Sequence, residues 1–496
     1  MILMGKRSSF TILEIIIAIG IFALTVGGIA GLIAQTFSLN RLGEEESYGN
    51  FLAIEGLEAS RAIARRDYFN LVNGSYGLTT QPNGIWEFSA GSQTFSKFTR
   101  QIVISNVFRD AGGNIVSSGG TLDLFTKRVE SLVTWNFAPG RDNEVSLKTY
   151  FAFWNESICE WEDTQSLNQV GFLNLPGNII ATDIEIEEED EVGYVTGGAS
   201  GGAGRFFTVS LANPLSPTVE GSLSLSKQAN GVAVSGSFAY LATADTTKEL
   251  LVVNVADLAN PSEVGTSGSP GGSGLSVATV EDFVYLGVDN SSGPEFYIYN
   301  AANPTNPAVV GTFEVGKGVS SISIAGNRAY LATTESGQGE PNVLILDISS
   351  PSNPTLLGSY AAPDAPNGAK GESTLYVGGI LHLVVSGAAA ADKANYYLLD
   401  VSDPVNVSTV GRMLNTQQIQ ALYDVDAGSG FALLATNKNG LQIMIVDIRN
   451  PANPTEKVTY DLGSGVDGLG AKIKGCYAYV VSKDSNQEVK VVAPQQ

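Results

Sequence analysis

The chain of 496 residues is poor in the residues that carry most protein chemistry: one His, two Cys, four Trp and four Met. A single His excludes repeated imidazole metal sites and nearly excludes a Ser-His-Asp triad. Two Cys cannot build a thiolate zinc site, although they suffice for one disulfide. Charged residues are scarce, at 16%, where about a quarter is usual. Acids outnumber bases 50 to 28, a formal charge of -22. That balance argues against nucleic acid as a partner, because phosphate repels a net anion. What the chain does hold is 43% hydrophobic residues and 56 Gly. The first figure rules out a largely disordered chain. The second suits β-structure with many tight turns. The length implies two or three domains.

Charge is unevenly placed. Residues 1–43 carry net +2, residues 44–160 net -4, and residues 161–496 net -20. The C-terminal two thirds therefore form a module whose charge opposes self-association. Near the other end, Ile15 to Ala34 reads IIIAIGIFALTVGGIAGLIA with no charge. About 20 such residues cross a bilayer as a helix. Lys6 and Arg7 precede them, so the N-terminus is expected in the cytoplasm and the bulk outside. A secretory signal peptide fits poorly, since its apolar stretch is shorter and ends at an A-x-A-like site.

Glu14 stands at the edge of this apolar run, where a carboxylate in lipid needs a partner. The segment Ser9-Phe10-Thr11-Ile12-Leu13-Glu14 resembles the type IV pilin signal. The resemblance implies cleavage by a prepilin peptidase between Ser9 and Phe10, methylation of the Phe10 amine, and a filament-assembly role for Glu14. A buried carboxylate there would pair with the N-terminal amine of a neighbouring pilin subunit. The family usually has Gly before the cut, whereas this chain has Ser9. Residues Phe51 to Arg66 extend the helix, with Leu52, Gly56, Ala59 and Ile63 on one face. Glu55, Glu58, Arg61 and Arg65 lie on the other, together with Phe51 and Ile54. Gly43 is a candidate bend, with Glu44 to Glu46 as acids of a restarted first turn.

Residues 67–157 alternate short strands and turns. Phe98 to Phe108 reads as a strand closed by Asp110-Ala111-Gly112-Gly113-Asn114. Arg128–Phe137 and Glu144–Trp154 read as a hairpin around Pro139-Gly140, with Val145, Leu147, Phe151 and Phe153 on one side. Trp86, Trp135 and Trp154 are expected in its core. A helix followed by an antiparallel meander is similar to a minor pilin head.

From about residue 168 the chain repeats. Each unit ends in an apolar strand, an Asn/Pro turn and a restart near Val-Gly, as in VNVADLANPSEVG, IYNAANPTNPAVVG and LDISSPSNPTLLG. Anchors at Pro217, Pro261, Pro307, Pro354, Val407 and Pro454 are spaced 44, 46, 47, 53 and 47 apart. About four short strands per 40–50 residues is a propeller blade. Seven blades is the count that fits, with six or eight also compatible. The motif resembles the LVIVD repeat family, most clearly at Val343–Asp347 and Met444–Asp447.

The expected organisation is thus a leader (1–9), a transmembrane pilin helix (10–66), an antiparallel β head (67–157) and an all-β propeller (168–496). Ser210, Asn254, Asn300, Asp347, Asp400 and Asp447 share one repeat position and read as turn acceptors. His382 occupies a slot held elsewhere by Tyr194, Tyr240, Tyr285, Tyr330 and Tyr479, and reads as scaffold. Cys159 and Cys476 flank the ring, so a disulfide between them would join neighbouring ends of a closed propeller. The acidic run with Asp183, Glu185, Glu187, Glu188, Glu189, Asp190 and Glu191 begins with period 2, as a strand leading into a hairpin. Its carboxylates are a weak candidate for calcium, and a solvated turn is the plainer reading. Asp424 and Asp426 are similarly weak.

No catalytic constellation and no cofactor motif is present, so a non-enzymatic protein is expected. Its implied partners are other pilin subunits, the prepilin peptidase, the cytoplasmic membrane before assembly and a surface ligand. The function that follows is a minor pilin-like subunit displaying an adhesive or recognition propeller, extracellular once assembled. The alternative is a singly anchored surface protein or a secretion pseudopilin.

Overall fold

The computed structural model describes residues 11–66, 71–80, 85–110, 114–116, 119–138, 141–152, 161, 164, 166–187, 191–199, 202–268, 272–289, 292–334, 339–365, 368–387, 390–428 and 430–495. The chain divides into two compact units. One holds residues 1–66, 74–104 and 128–150; the other holds 67–73, 105–127 and 151–496.

In the first unit a single helix runs from Ile12 to Arg66. It passes through Gly43 without the expected restart. Glu45 instead ties it to the sheet, accepting hydrogen bonds from Trp135 Nε1 (3.0 Å) and pairing with Lys97. The apolar half is exposed along its length, and is long and apolar enough to cross a membrane. The second half buries Leu52, Ala59 and Ile63, as their spacing predicts, and leaves Phe51 and Ile54 exposed. Gly56 is required by closeness: a Cβ there would lie 2.3 Å from Ser131 Oγ. Arg100, 1% exposed, donates to the Leu52 carbonyl and pairs with Glu55. Its strand, Phe98–Arg109, matches the expected one. The strands Thr121–Ala138 and Arg141–Ala152 are sheet neighbours, and the second alternates half-buried with exposed residues. Trp135 is core and Trp86 is half-buried, while Trp154 and Pro139-Gly140 lie outside the described residues.

The second unit contains seven four-stranded antiparallel sheets. Blades 1 to 6 are continuous in sequence: Ile179–Leu225, Ala229–Ser267, Gly274–Phe313, Val319–Tyr360, Lys370–Leu414 and Leu422–Tyr460. The seventh takes three strands from Gly468–Pro494 and its outer strand from Leu167–Leu173. That pairing runs from Val489 opposite Leu173 to Pro494 opposite Leu167. Side chains at the ends reinforce it: Glu488 accepts the Leu175 N–H at 2.8 Å across 313 residues.

Backbone pairing therefore closes the ring. Cys476 is a free thiol, half-buried against a core cluster that includes Trp161. Cys159 lies outside the described residues, and among those described there is no disulfide. Trp161, which precedes the ring in sequence, is 3% exposed within that cluster.

The Val-Gly restart has a steric cause. In each outer strand the glycine faces the turn of the following blade. A Cβ on Gly221, Gly265, Gly311, Gly358 or Gly411 would lie 1.8–2.2 Å from a carbonyl oxygen of that turn. Gly171, in the closing strand, meets Pro214 of blade 1 in the same way. Blade 6 alone departs, with Val458. Its next neighbour is the blade assembled from the two ends, where no such turn exists. Val458 packs there with Trp161 and Leu167.

Five of the six expected turn acceptors behave as read. Asn254, Asn300, Asp347, Asp400 and Asp447 each accept the N–H two residues on, at 2.8–3.0 Å.

Gly311→Ala should lower the unfolding free energy of the propeller by about 1–3 kcal/mol, as overpacking against backbone does. Denaturant titration of the full chain checks this, and an unchanged midpoint would refute the close-approach explanation.

Candidate functional site in the propeller channel

The first strand of each blade lies innermost, next to the first strands of its neighbours. Each carries a bulge, so that one residue slips out of register with the second strand. The residues immediately after the bulges are Asp183, Gly231, Ser276, Ser321, Ser373, Asp424 and Gly470. All but Gly470 line, together with their neighbours, an axial cavity of about 350 Å³, to which blade 7 contributes Leu469 and Lys472.

Inner strands leave N–H groups facing the preceding blade, and side chains of that blade satisfy them. Asp183 accepts from Val232 (2.9 Å), Ser321 from Thr374 (3.1 Å), Asp424 from Ala471 (3.0 Å) and Asp426 from Ile473 (2.7 Å). Ser373 donates to Asp424 at 2.8 Å. In each of these four bonds the N–H of one blade donates to a carboxylate or hydroxyl of the preceding blade.

The charges gather where the ring closes. Lys472, on the inner strand of blade 7, pairs with Glu185 of blade 1 at 3.0 Å. Asp183 stands beside it on the same side, and Asp424 and Asp426 of blade 6 on the other. Burial works against the lysine's charge, but these four carboxylates together outweigh it and hold its pKa well above the usual lysine value. Burial pushes Asp183 up to about 7, with Asp424 adding repulsion while Lys472 and the Val232 N–H oppose the rise. Burial likewise raises Asp426 to about 6 and raises Asp424. The side chains face the cavity, and Lys472 and Glu185 keep 30% and 35% exposure. Solvent reaching the channel therefore screens these interactions and tempers the displacements.

Four carboxylates around one ammonium leave an excess of negative charge that can attract cations. Among the described residues no three His, Cys, Asp or Glu side chains converge as a metal site requires.

The structure thus unites three features that looked unconnected in sequence: the start of the acidic run, the Asp424/Asp426 pair, and Lys472, which the sequence reading missed. Only its parity with Glu185 and Asp426 after the bulge could have indicated it. Of the rest of the acidic run, Glu187 and Glu191 stay outside the channel group. Glu187 accepts the Tyr194 hydroxyl at 3.1 Å, and Glu191 sits in the hairpin turn at φ +53°. Glu188, Glu189 and Asp190 lie outside the described residues. The hairpin itself, Ile179–Glu187 against Val192–Ala199, is the one expected.

His382 is fully buried, with Nδ1 2.7 Å from the Tyr396 hydroxyl. Burial lowers its pKa to about 3, so it is a neutral core group in its tyrosine slot.

Ser9 and Phe10 lie outside the described residues. Glu14 does not stand free: it accepts the Thr11 N–H (2.9 Å) and hydroxyl (3.0 Å), while the Glu14 N–H donates to Thr11 Oγ1 (3.3 Å). This is a capping box at the helix start, a role the sequence reading did not assign.

The LVIVD repeat family matches residues 226–267, 316–362 and 423–462. The chain carries LVIVD repeats. The matched spans fall on blades 2, 4 and 6, alternate members of the ring. No curated protein matches the chain. Among solved structures, the RRP9 WD40 repeats are 10% identical, with a TM-score of 0.50 over 67% of this chain and all of that one. Hydrazine synthase of Kuenenia stuttgartiensis is 13% identical, covering 65% of this chain and 97% of that chain at 0.49. Sqt1 of Chaetomium thermophilum is 12% identical, covering 66% and 97% at 0.47. At such identities the first of these speaks for the propeller fold alone.

The raised carboxyl pKa values set a sign. Asp183 and Asp426 bind protons more tightly folded than unfolded, where an aspartate titrates near pH 4. Their contribution to stability is therefore full below about pH 4 and is lost as pH rises through 6 to 7. Asp183→Asn should gain melting temperature relative to the parent between pH 5 and pH 8, by about 2–4 °C per kcal/mol relieved. Calorimetry at the two pH values checks this, and a constant difference would contradict the channel electrostatics.

Proposed function

We propose that the protein is a minor type IV pilin-like subunit that carries a recognition propeller on a filament or at its tip. A propeller behind an apolar N-terminal helix suits a surface-anchored binding protein. The observation that carries the finer reading is the first unit: one helix from Ile12 to Arg66, apolar and exposed in its first half and packed on an antiparallel sheet in its second. A plain anchor has no need for that second half.

Glu14 stands at the helix start, where assembly would use it. The capping box satisfies it before assembly, so the same carboxylate could exchange Thr11 for the amine of a neighbouring subunit. The propeller is a non-catalytic binding module in this reading. A mass of seven blades on every subunit would crowd a shaft, which favours low stoichiometry.

Glu14→Gln separates the two roles of that side chain, because glutamine also completes a capping box. The variant should insert in the membrane at parental levels and fail to enter filaments. Normal incorporation, read by immunoblot of sheared filaments, would refute the pilin role. Mass spectrometry of the mature N-terminus should find methylated Phe10.

A further inference from the structure

A buried acid or amide immediately precedes the third strand in five blades, at Glu249, Glu295, Asn342, Gln442 and Glu488, and Asn395, second residue of the strand Ala394–Asp400, holds the corresponding repeat position in blade 5. Most of these serve one purpose. The side chain reaches the segment that leaves the fourth strand and caps its backbone. Glu295 accepts the Val315 and Gly316 N–H groups. Asn342 accepts from Ala362 and donates to the Ala369 carbonyl. Gln442 accepts from Leu462 and donates to the Gly463 carbonyl. Glu488 does the same for Leu175, at the ring closure.

Asn395 is the exception. It is 3% exposed, yet neither its Nδ2 nor its Oδ1 has a hydrogen-bond partner. The cause is local. Blade 5 bulges at this point, between Ala394 and Tyr396. Its exit loop caps itself, with Asn415 accepting the Ile419 N–H and donating to the Ile419 carbonyl, both at 2.6 Å. A buried amide left without partners costs folding free energy and requires a reason.

Asn395 lines a cavity of about 440 Å³ with the end of the outer strand of blade 5, the Asn415 loop and the Asn453–Glu456 turn of blade 6. That size falls within the range of ligand pockets. Met413 and Met444 supply adaptable apolar surface. Arg412, paired with Asp364, and Glu456, which accepts from Gln417, place both signs of charge at the rim. The outer strand, Ser408–Leu414, is the last of its sheet, so one edge has no strand partner within the blade.

We propose that this cavity binds an extended peptide segment, with Asn395 pairing to one of its main-chain amides. An amide needs a donor and an acceptor held side by side, and a peptide group offers both. The free strand edge beside it offers the same chemistry for continued pairing. This deepens the recognition reading of the propeller and does not depend on Glu14, so failure of filament entry and failure of peptide binding are separate results.

The probe is a pool of acetylated, amidated tetrapeptides, observed by saturation-transfer NMR with the full chain in detergent micelles. The parent should give transfer, and Asn395→Leu should weaken binding by about tenfold or more. Asn395→Asp, which keeps the shape and loses the donor, should weaken it too. Asn395→Leu should also keep or raise the melting temperature, whereas Asn342→Leu, which removes an engaged amide, should lower it. No transfer in the parent, undiminished transfer in both variants, or a melting loss in Asn395→Leu equal to that of Asn342→Leu would overturn the proposal.

Discussion

Leu167–Leu173 hydrogen-bonding to Val489–Pro494 is the constraint on which the ring rests. Every other blade is a local meander, formed from neighbouring sequence. The seventh exists only once the two ends of the propeller meet, so the ring cannot complete until the whole module has been made. Non-local pairing of this kind carries the loop-closure entropy of the entire domain. The fold reinforces that seam at several levels. Glu488 caps Leu175 behind it, Trp161 and Val458 fill its outer side, and Lys472 draws together carboxylates from the blades on either side. The exchange of glycine for Val458 follows from the same cause, because the turn that forces glycine elsewhere is missing where the chain is discontinuous.

The seam also explains why the charges of the channel are asymmetric. Blades 2 to 5 place small or neutral residues after the inner bulge: Gly231, Ser276, Ser321 and Ser373. Blades 6, 7 and 1 bring Asp424, Asp426, Lys472, Asp183 and Glu185. Ionic and hydrogen-bonded cross-links are concentrated where covalent continuity is absent. The excess of carboxylate over ammonium leaves this sector short of positive charge, which makes it the part of the channel most responsive to protons and cations.

Much of this architecture was legible in the residues. The Leu52, Gly56, Ala59 and Ile63 stripe, the seven-blade count and the Asn/Asp turn acceptors all rest on short-range periodicity, and all hold. Glu14 was legible as a special residue, and its pairing with Thr11 follows from the three-residue spacing at the helix start. The expected Cys159–Cys476 link placed the two ends together, and the strand pairing of Leu167–Leu173 with Val489–Pro494 joins them, while Cys159 lies outside the described residues. Lys472, Asn395 and Trp161 were not legible. Each looks ordinary in its own repeat, and each acquires meaning from a neighbour that is remote in sequence or from the failure of its sister residues' pattern.

The sequence by itself determined the elements: one long helix with an apolar half, a period of about 45 residues, four strands to a period, and a glycine at every restart but that of Val458. Those follow from backbone and side-chain preferences that act over a few residues. Only the tertiary structure decided which strand closes the ring, which carboxylates face Lys472 and which buried amide is left unpaired. These depend on blades that touch across hundreds of residues, and no local preference specifies such contacts.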